Sequence, residues 1–186
     1  MRIISGTLKG KKIELPRDKS TRPLRDLVKE SIFNVLEHSN KIQTKIKDAI
    51  ILDLFSGSGS FGLEAISRGA KKVTFIENYF NAYEVILKNI NNLNCQDFSE
   101  LKNYDCFQFI DGADTKNSKF DLIFIDPPYK EKNINILLDK IIEKKMLDKS
   151  GLLIIHRHKK DDIKLSSKIS IIDERFYGIS KIIFAN

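Results

Sequence analysis

Tryptophan is absent from this chain, and cysteine occurs only twice, as Cys95 and Cys106. Two cysteines without CxxC spacing exclude a disulfide framework and a zinc-ribbon site, and both are expected to be free thiols in a reducing cytoplasm. No stretch approaches the roughly 18 consecutive apolar residues of a membrane span. The opening MRIISGTLKGKKIEL carries no apolar run of signal-peptide length, so neither membrane association nor export is expected. Internal repeats and low-complexity segments are missing as well. Acidic excess is also lacking, since the net charge is +7. Residues 1–47 hold 12 Lys and Arg against 5 Asp and Glu, whereas residues 48–186 hold 20 of each. The whole surplus therefore lies in the first quarter of the chain. It is either a solvated basic surface or an anion-binding appendage on a neutral body, with nucleic acid the anion that fits best.

What is present describes one ordinary globular domain. With 186 residues, 41% of them apolar and 31% charged, the chain can bury a sizeable core. Residues 2–15 read as a small β-hairpin, RIIS and KKIEL around the turn residues Gly6 and Gly10, and PRDKSTRP (16–23) reads as a polar linker. Residues 1–23 are thus a basic N-terminal unit, and residues 24–186 are the main domain. Leu24, Leu27, Val28, Ile32, Val35 and Leu36 recur at helical spacing, with Arg25, Asp26, Lys29 and Glu30 assigned to the solvent face. That helix should end near Ser39 and Asn40. AIILDLF (49–55), KVTFIE (72–77), DLIFID (121–126) and GLLIIH (151–156) are short apolar strands, and CFQFI (106–110) is a further strand candidate. Helical segments fall near 60–68, 79–92 and 133–147. Such alternation predicts an α/β fold, a mostly parallel sheet covered by helices on both faces. ISIIDERF and ISKIIFA, on either side of Tyr177 and Gly178, predict an antiparallel strand pair that closes the sheet.

The first strand runs directly into DLFSGSGSFGLEA, residues 53–65. Gly57, Gly59 and Gly62 fit G-x-G-x-x-G between a strand and a helix. Such a loop lets backbone N–H groups approach a ligand and aims a helix N-terminus at it. Glu77 stands 20 residues after Gly57 and closes the second strand, where a carboxylate can accept hydrogen bonds from ribose hydroxyls. The pattern points to an adenosine-type cofactor, NAD among them, with a purely structural tight turn as the alternative. Asp53 is poorly placed for a negative pyrophosphate but suits the ammonium of a methionine moiety, which favours S-adenosylmethionine.

The apolar run Leu122, Ile123, Phe124 and Ile125 ends abruptly in Asp126, Pro127, Pro128 and Tyr129. A strand can be stopped by one Gly or Asn, so a carboxylate and an aromatic ring on a rigid Pro-Pro hinge call for a chemical reason. An exocyclic amine is a poor nucleophile because its lone pair is delocalised into the base. Hydrogen-bond acceptors for both amine hydrogens help the nitrogen become tetrahedral as a methyl arrives. Asp126 offers a carboxylate, the Pro127 carbonyl offers a second acceptor with restricted backbone, and Tyr129 can stack on a flat base.

D-P-P-Y after a buried strand resembles the amino-methyltransferase signature, and LDLFSGSGSFGLEAISRGA is similar to its cofactor loop. With MRIISGTLKGKKI and TRPLRDLVKESIFNVL, nearly the whole chain resembles the RsmD family, bacterial methyltransferases for N2 of a guanine in 16S ribosomal RNA. The resemblance implies a Rossmann-like S-adenosylmethionine-dependent methyltransferase fold with a small N-terminal hairpin extension. It implies S-adenosylmethionine as donor and the small ribosomal subunit as substrate, with no obligate protein partner. It places Asp53, Phe55, Gly57, Gly59 and Glu77 at cofactor positions, and Asp126, Pro127, Pro128 and Tyr129 at catalytic ones. FIDGAD (109–114) takes the place of the adenine-side acid, with Asp111 chosen and Asp114 the alternative. Arg2, Lys9, Lys11, Lys12, Arg22 and Arg25 are the expected RNA contacts, on a hairpin and linker that reach beyond the sheet edge and add little to the cofactor site. His156 and His158 share a strand face without a third ligand, so no metal is expected; they are taken as surface or RNA-facing, and His38 as a solvent-facing helix end. The rivals are an adenine-N6 DNA or protein-glutamine methyltransferase, an NAD-binding oxidoreductase, and a non-catalytic RNA-binding module.

Overall fold

The apolar runs fold as strands β1 (Ile50–Leu54), β2 (Lys72–Ile76), β3 (Ser99–Lys102), β4 (Phe120–Ile125), β5 (Leu147–His158), β6 (Ile171–Tyr177) and β7 (Ser180–Ala185). Among the described residues five α-helices accompany them: α1 (Asp26–His38), α2 (Ser60–Ser67), α3 (Phe80–Asn92), α4 (Cys106–Gly112) and α5 (Ile134–Glu143). This is a computed structural model, and it describes residues 1–18, 24–112, 119–161, 163 and 165–186. The strands make one sheet in the order β3-β2-β1-β4-β5-β7-β6. β1 to β5 pair in parallel, and β7 runs antiparallel to both β5 and β6. The expected mostly parallel sheet with an antiparallel C-terminal pair is present.

Period-two alternation divides the core into two layers. Ile51, Phe75, Phe124 and Ile154 face the side covered by α1, α2 and α3, while Leu52, Ile76, Ile125 and Ile155 face α4 and α5. Phe61 of α2 stacks between Phe33 and Phe124, with ring centroids 5.1 and 3.9 Å away. α2 can lie this close to the sheet because of Gly62: a Cβ there would sit 2.3 Å from the Phe75 ring. The third glycine of the loop is thus a packing residue.

Three sequence expectations are corrected. Residues 106–110 belong to α4, not to a strand. Asp105 Oδ1 accepts the Phe107 and Gln108 N–H groups at 2.9 and 3.1 Å, a helix cap that outweighs the local strand pattern. The strand in this part of the sheet is the edge strand β3, SELK, whose exposure removes the apolar signal. On α1, Lys29 is fully buried and Leu27 is 66% exposed, the reverse of their assigned faces.

Lys29 is buried because it anchors the N-terminal segment. Its Nζ donates to the Arg2 carbonyl at 2.9 Å and lies 3.5 Å from Glu64 Oε2. Buried Glu64 in turn accepts the Ile4 and Ser5 N–H groups and the Arg68 Nε–H. Residues 1–13 form a tight antiparallel turn, with a bridge between Arg2 and Lys12. Ile3 and Ile13 sink into the same core as α1 and α2. Gly6, at φ 80°, is where this turn meets α2; a Cβ there would fall 1.8 Å from the Ser67 carbonyl oxygen. The segment is clipped to α2 and does not stand off the sheet edge.

Candidate active site

Parallel strands deliver their C-terminal ends to one edge, and a crevice opens there where the chain order reverses, between β1 and β4. It holds a cavity of about 650 Å³, within the usual range for small-molecule sites. The glycine loop after β1 forms one wall, and Gly57 and Gly59 take left-handed φ angles of 58° and 74°. Phe55, Gly57, Glu77, Asp126, Pro127 and Tyr129 all line the cavity. Loop and D-P-P-Y motif, 69 residues apart from Gly57 to Asp126 in the chain, share one chamber.

Glu77 organises the loop. One carboxylate oxygen accepts the Gly57 N–H and the other the Tyr79 N–H, both at 2.8 Å. Burial pushes its pKa up, and those N–H bonds hold it partly back. Asp53 lies beneath the loop and does not line the cavity. Its Oδ2 accepts the Gly62 N–H at 3.1 Å, and its Oδ1 has no partner among the described residues. Complete burial raises the Asp53 pKa well above the carboxylate range; the Gly62 bond opposes this, and the charges of Asp126 and Glu77 add to it. Glu77 and Asp126 line the cavity, and Asp53 lies close enough for their charges to act on it.

Asp126 extends the sheet by one residue, its N–H donating to the Leu54 carbonyl at 3.4 Å. Its Oδ1 lies 2.8 Å from His156 Nδ1, and His156 Nε2 lies 2.9 Å from Ser180 Oγ. His156 is 2% exposed, so the expected surface histidine is a core residue. Sequence reasoning missed it, although LIFID and LLIIH carry the signal. Leu122 pairs with Leu152 and Ile125 with Ile155, which makes Asp126 and His156 neighbours across the strands. His158 remains partly exposed, and its ring meets the Tyr129 ring edge-on at 5.2 Å. Arg157 was also missed; it donates to the carbonyls of Pro128 and Glu131 at 3.2 and 2.9 Å.

Other expected site residues fall elsewhere. Asp111 is exposed near the end of α4 and pairs with Lys140 at 2.7 Å, outside the cavity lining. The acid beyond β3 that reaches a cavity residue is Asp105, 3.5 Å from the Asn78 amide. Asp114 and Arg22 lie outside the described residues. Arg2, Lys9, Lys11, Lys12 and Arg25 are exposed. The N-terminal segment, however, helps to build the cavity. Pro16 and Leu24 line it, Asp18 accepts the Tyr79 hydroxyl at 2.8 Å, and Asn89 Nδ2 donates to both the Glu14 and Ser58 carbonyls. No cluster of potential metal ligands occurs among the described residues, and no helix among them is long and apolar enough to cross a membrane.

Residues 1–186 match the family model described as Conserved hypothetical protein 95. Ribosomal RNA small subunit methyltransferase D of Haemophilus influenzae is 31% identical over 180 residues, covering 96% of this chain and 90% of that protein. The chain belongs to the RsmD family. Another relative, Ribosomal RNA small subunit methyltransferase D of Buchnera aphidicola, is 34% identical over 161 residues, 87% of this chain and 80% of its own length. The solved yhhF structure from Escherichia coli superposes with a TM-score of 0.83 at 26% identity, covering 100% of this chain and 96% of that one. The RsmD-family fold is therefore the frame in which this cavity sits.

Proposed function

We propose that the protein transfers a methyl group from S-adenosylmethionine to the exocyclic N2 of a guanine in 16S ribosomal RNA of the small subunit. The observation that carries this is the single cavity shared by the glycine loop and the D-P-P-Y motif. The residues suit the donor. Glu77 is positioned for ribose hydroxyls, and the open face of Gly57 for close backbone approach. Asp105, beside Asn78, is the candidate for the adenine side. Glu77 and Asp126, both in the cavity lining, suit a cationic group. When bound, S-adenosylmethionine supplies an electrophilic methyl on a sulfonium.

The chain's own residues prepare the acceptor. Asp126 and the Pro127 carbonyl accept the two amine hydrogens, drawing the lone pair toward the incoming carbon. Tyr129 offers a face for the base, and the aromatic rings of Phe55, Phe61 and Phe124 exclude water from the cavity wall. The exposed cations of the N-terminal segment, Arg2, Lys9, Lys11 and Lys12, are suited to phosphate contacts that position the RNA. Ribosomal RNA from cells with and without the gene, digested to nucleosides, tests the proposal. A small-subunit N2-methylguanosine should be present only with the gene and should be lost when Asp126→Ala replaces the wild type. Losing an interaction made in the transition state costs roughly 3 kcal/mol, a hundredfold or more in rate. A gene-dependent mark on adenine N6 or on protein amide nitrogen, with guanine unchanged, would refute it.

A further inference from the structure

Pro127 and Pro128 restrict the main chain after β4, but neither ring limits rotation of the Asp126 side chain about its own χ angles. A carboxylate that must meet an amine hydrogen in line with a methyl needs that rotation stopped. We infer that His156 is a positioning residue for Asp126, with Ser180 holding the imidazole from behind. This rests on the function proposed above and adds to it a residue that acts only through Asp126.

The geometry has three parts. His156 stands next to Asp126 by strand register, since both follow the last β4–β5 pair, Ile125 and Ile155. A carboxylate has no hydrogen to give, so Nδ1–H donates across the 2.8 Å contact. In the Nδ1–H tautomer Nε2 is an acceptor, and the Ser180 hydroxyl, 2.9 Å away, is placed to donate to it. Ser180 is a diagonal neighbour on β7, paired in register with His158, and it too is buried. An imidazole and a hydroxyl buried in two adjacent, largely apolar strands must be desolvated, a cost that the bonds to Asp126 and between them offset only if both are made. Apolar residues would pack there without that cost, so packing alone does not account for the pair. The neighbouring Arg157 holds the Pro128 and Glu131 carbonyls, which leaves the main chain to Arg157 and the carboxylate to His156.

Two substitutions separate positioning from bulk. His156→Asn keeps an amide donor near the Nδ1 position, whereas His156→Gln carries its amide near Nε2 and abandons Asp126. Single-turnover methyl transfer to small-subunit particles with radiolabelled donor should fall by about 10- to 100-fold in H156Q, the loss expected of a reacting group misplaced by about 1 Å. H156N should recover most of that rate. Cofactor affinity by calorimetry and particle affinity should stay within about twofold in both. Nitrogen-15 spectra of the wild-type histidine rings supply a second readout that needs no turnover. One ring should show the Nδ1–H tautomer, and Asp126→Asn should shift it. Equal rates in H156N and H156Q, a loss confined to KM, or an Nε2–H tautomer would overturn the inference. Absence of any transfer by the wild type would count against the function alone, and the tautomer would still decide whether His156 holds Asp126.

Discussion

At the scale of single residues, the cost of the site is concentrated in Asp53. Its carboxyl is enclosed, one oxygen is unpartnered among the described residues, and two other acids lie near it. Asp53→Asn should therefore stabilise the ligand-free protein by about 1–2 kcal/mol at neutral pH, because it removes the ionisation that burial and the two neighbouring acids disfavour. The same change should weaken S-adenosylmethionine binding. The sign with pH follows from the raised pKa. Folded Asp53 holds its proton more tightly than the unfolded chain does. The stability so gained is full below the ordinary carboxylate range and is lost as pH rises through the shifted value. The advantage of Asp53→Asn should accordingly be small near pH 4 and grow as pH rises, as measured by urea denaturation at several pH values. An advantage independent of pH would mean that Asp53 titrates alike in both states.

At the scale of elements, local pattern was legible and lateral contact was not. The central strands declared themselves because both of their faces are buried, so each reads as an unbroken apolar run. The glycine loop and Asp126-Pro127-Pro128-Tyr129 were legible because their chemistry is contiguous in the chain. β3 was missed because an edge strand needs no apolar run, and its place was given to residues 106–110, whose helix depends on the Asp105 cap. Lys29 was assigned to solvent because helical spacing records charge but not the Arg2 carbonyl and Glu64 that wait for it. His156 was missed because its meaning lies across two strands. The N-terminal segment was taken for an arm, since nothing in GTLKG announces that its backbone lies against Ser67. Gly6→Val tests that seat. With a left-handed φ and Ser67 in the way, it should cost about 2 kcal/mol or more. A lower urea midpoint with an unchanged slope is the expected result, and an unchanged midpoint would show that the seat contributes nothing.

At the scale of the whole molecule, charge and cavity are separable. The charged ends of Lys9, Lys11 and Lys12 are exposed and outside the cavity lining. Replacing all three with alanine should reduce the slope of log affinity against log salt for small-subunit particles by about 2 to 3. Cofactor affinity should be unchanged in the same protein by calorimetry, and a constant salt slope would make these lysines ordinary solvated surface. Backbone and cavity are not separable in this way. Asn89 joins the Glu14 backbone to the Ser58 carbonyl of the glycine loop, and Asp18 joins the same segment to Tyr79. Reciprocity then governs the two binding events. Any factor by which bound RNA, acting through this segment, changes the affinity for the methyl donor must equal the factor by which the donor changes the affinity for RNA.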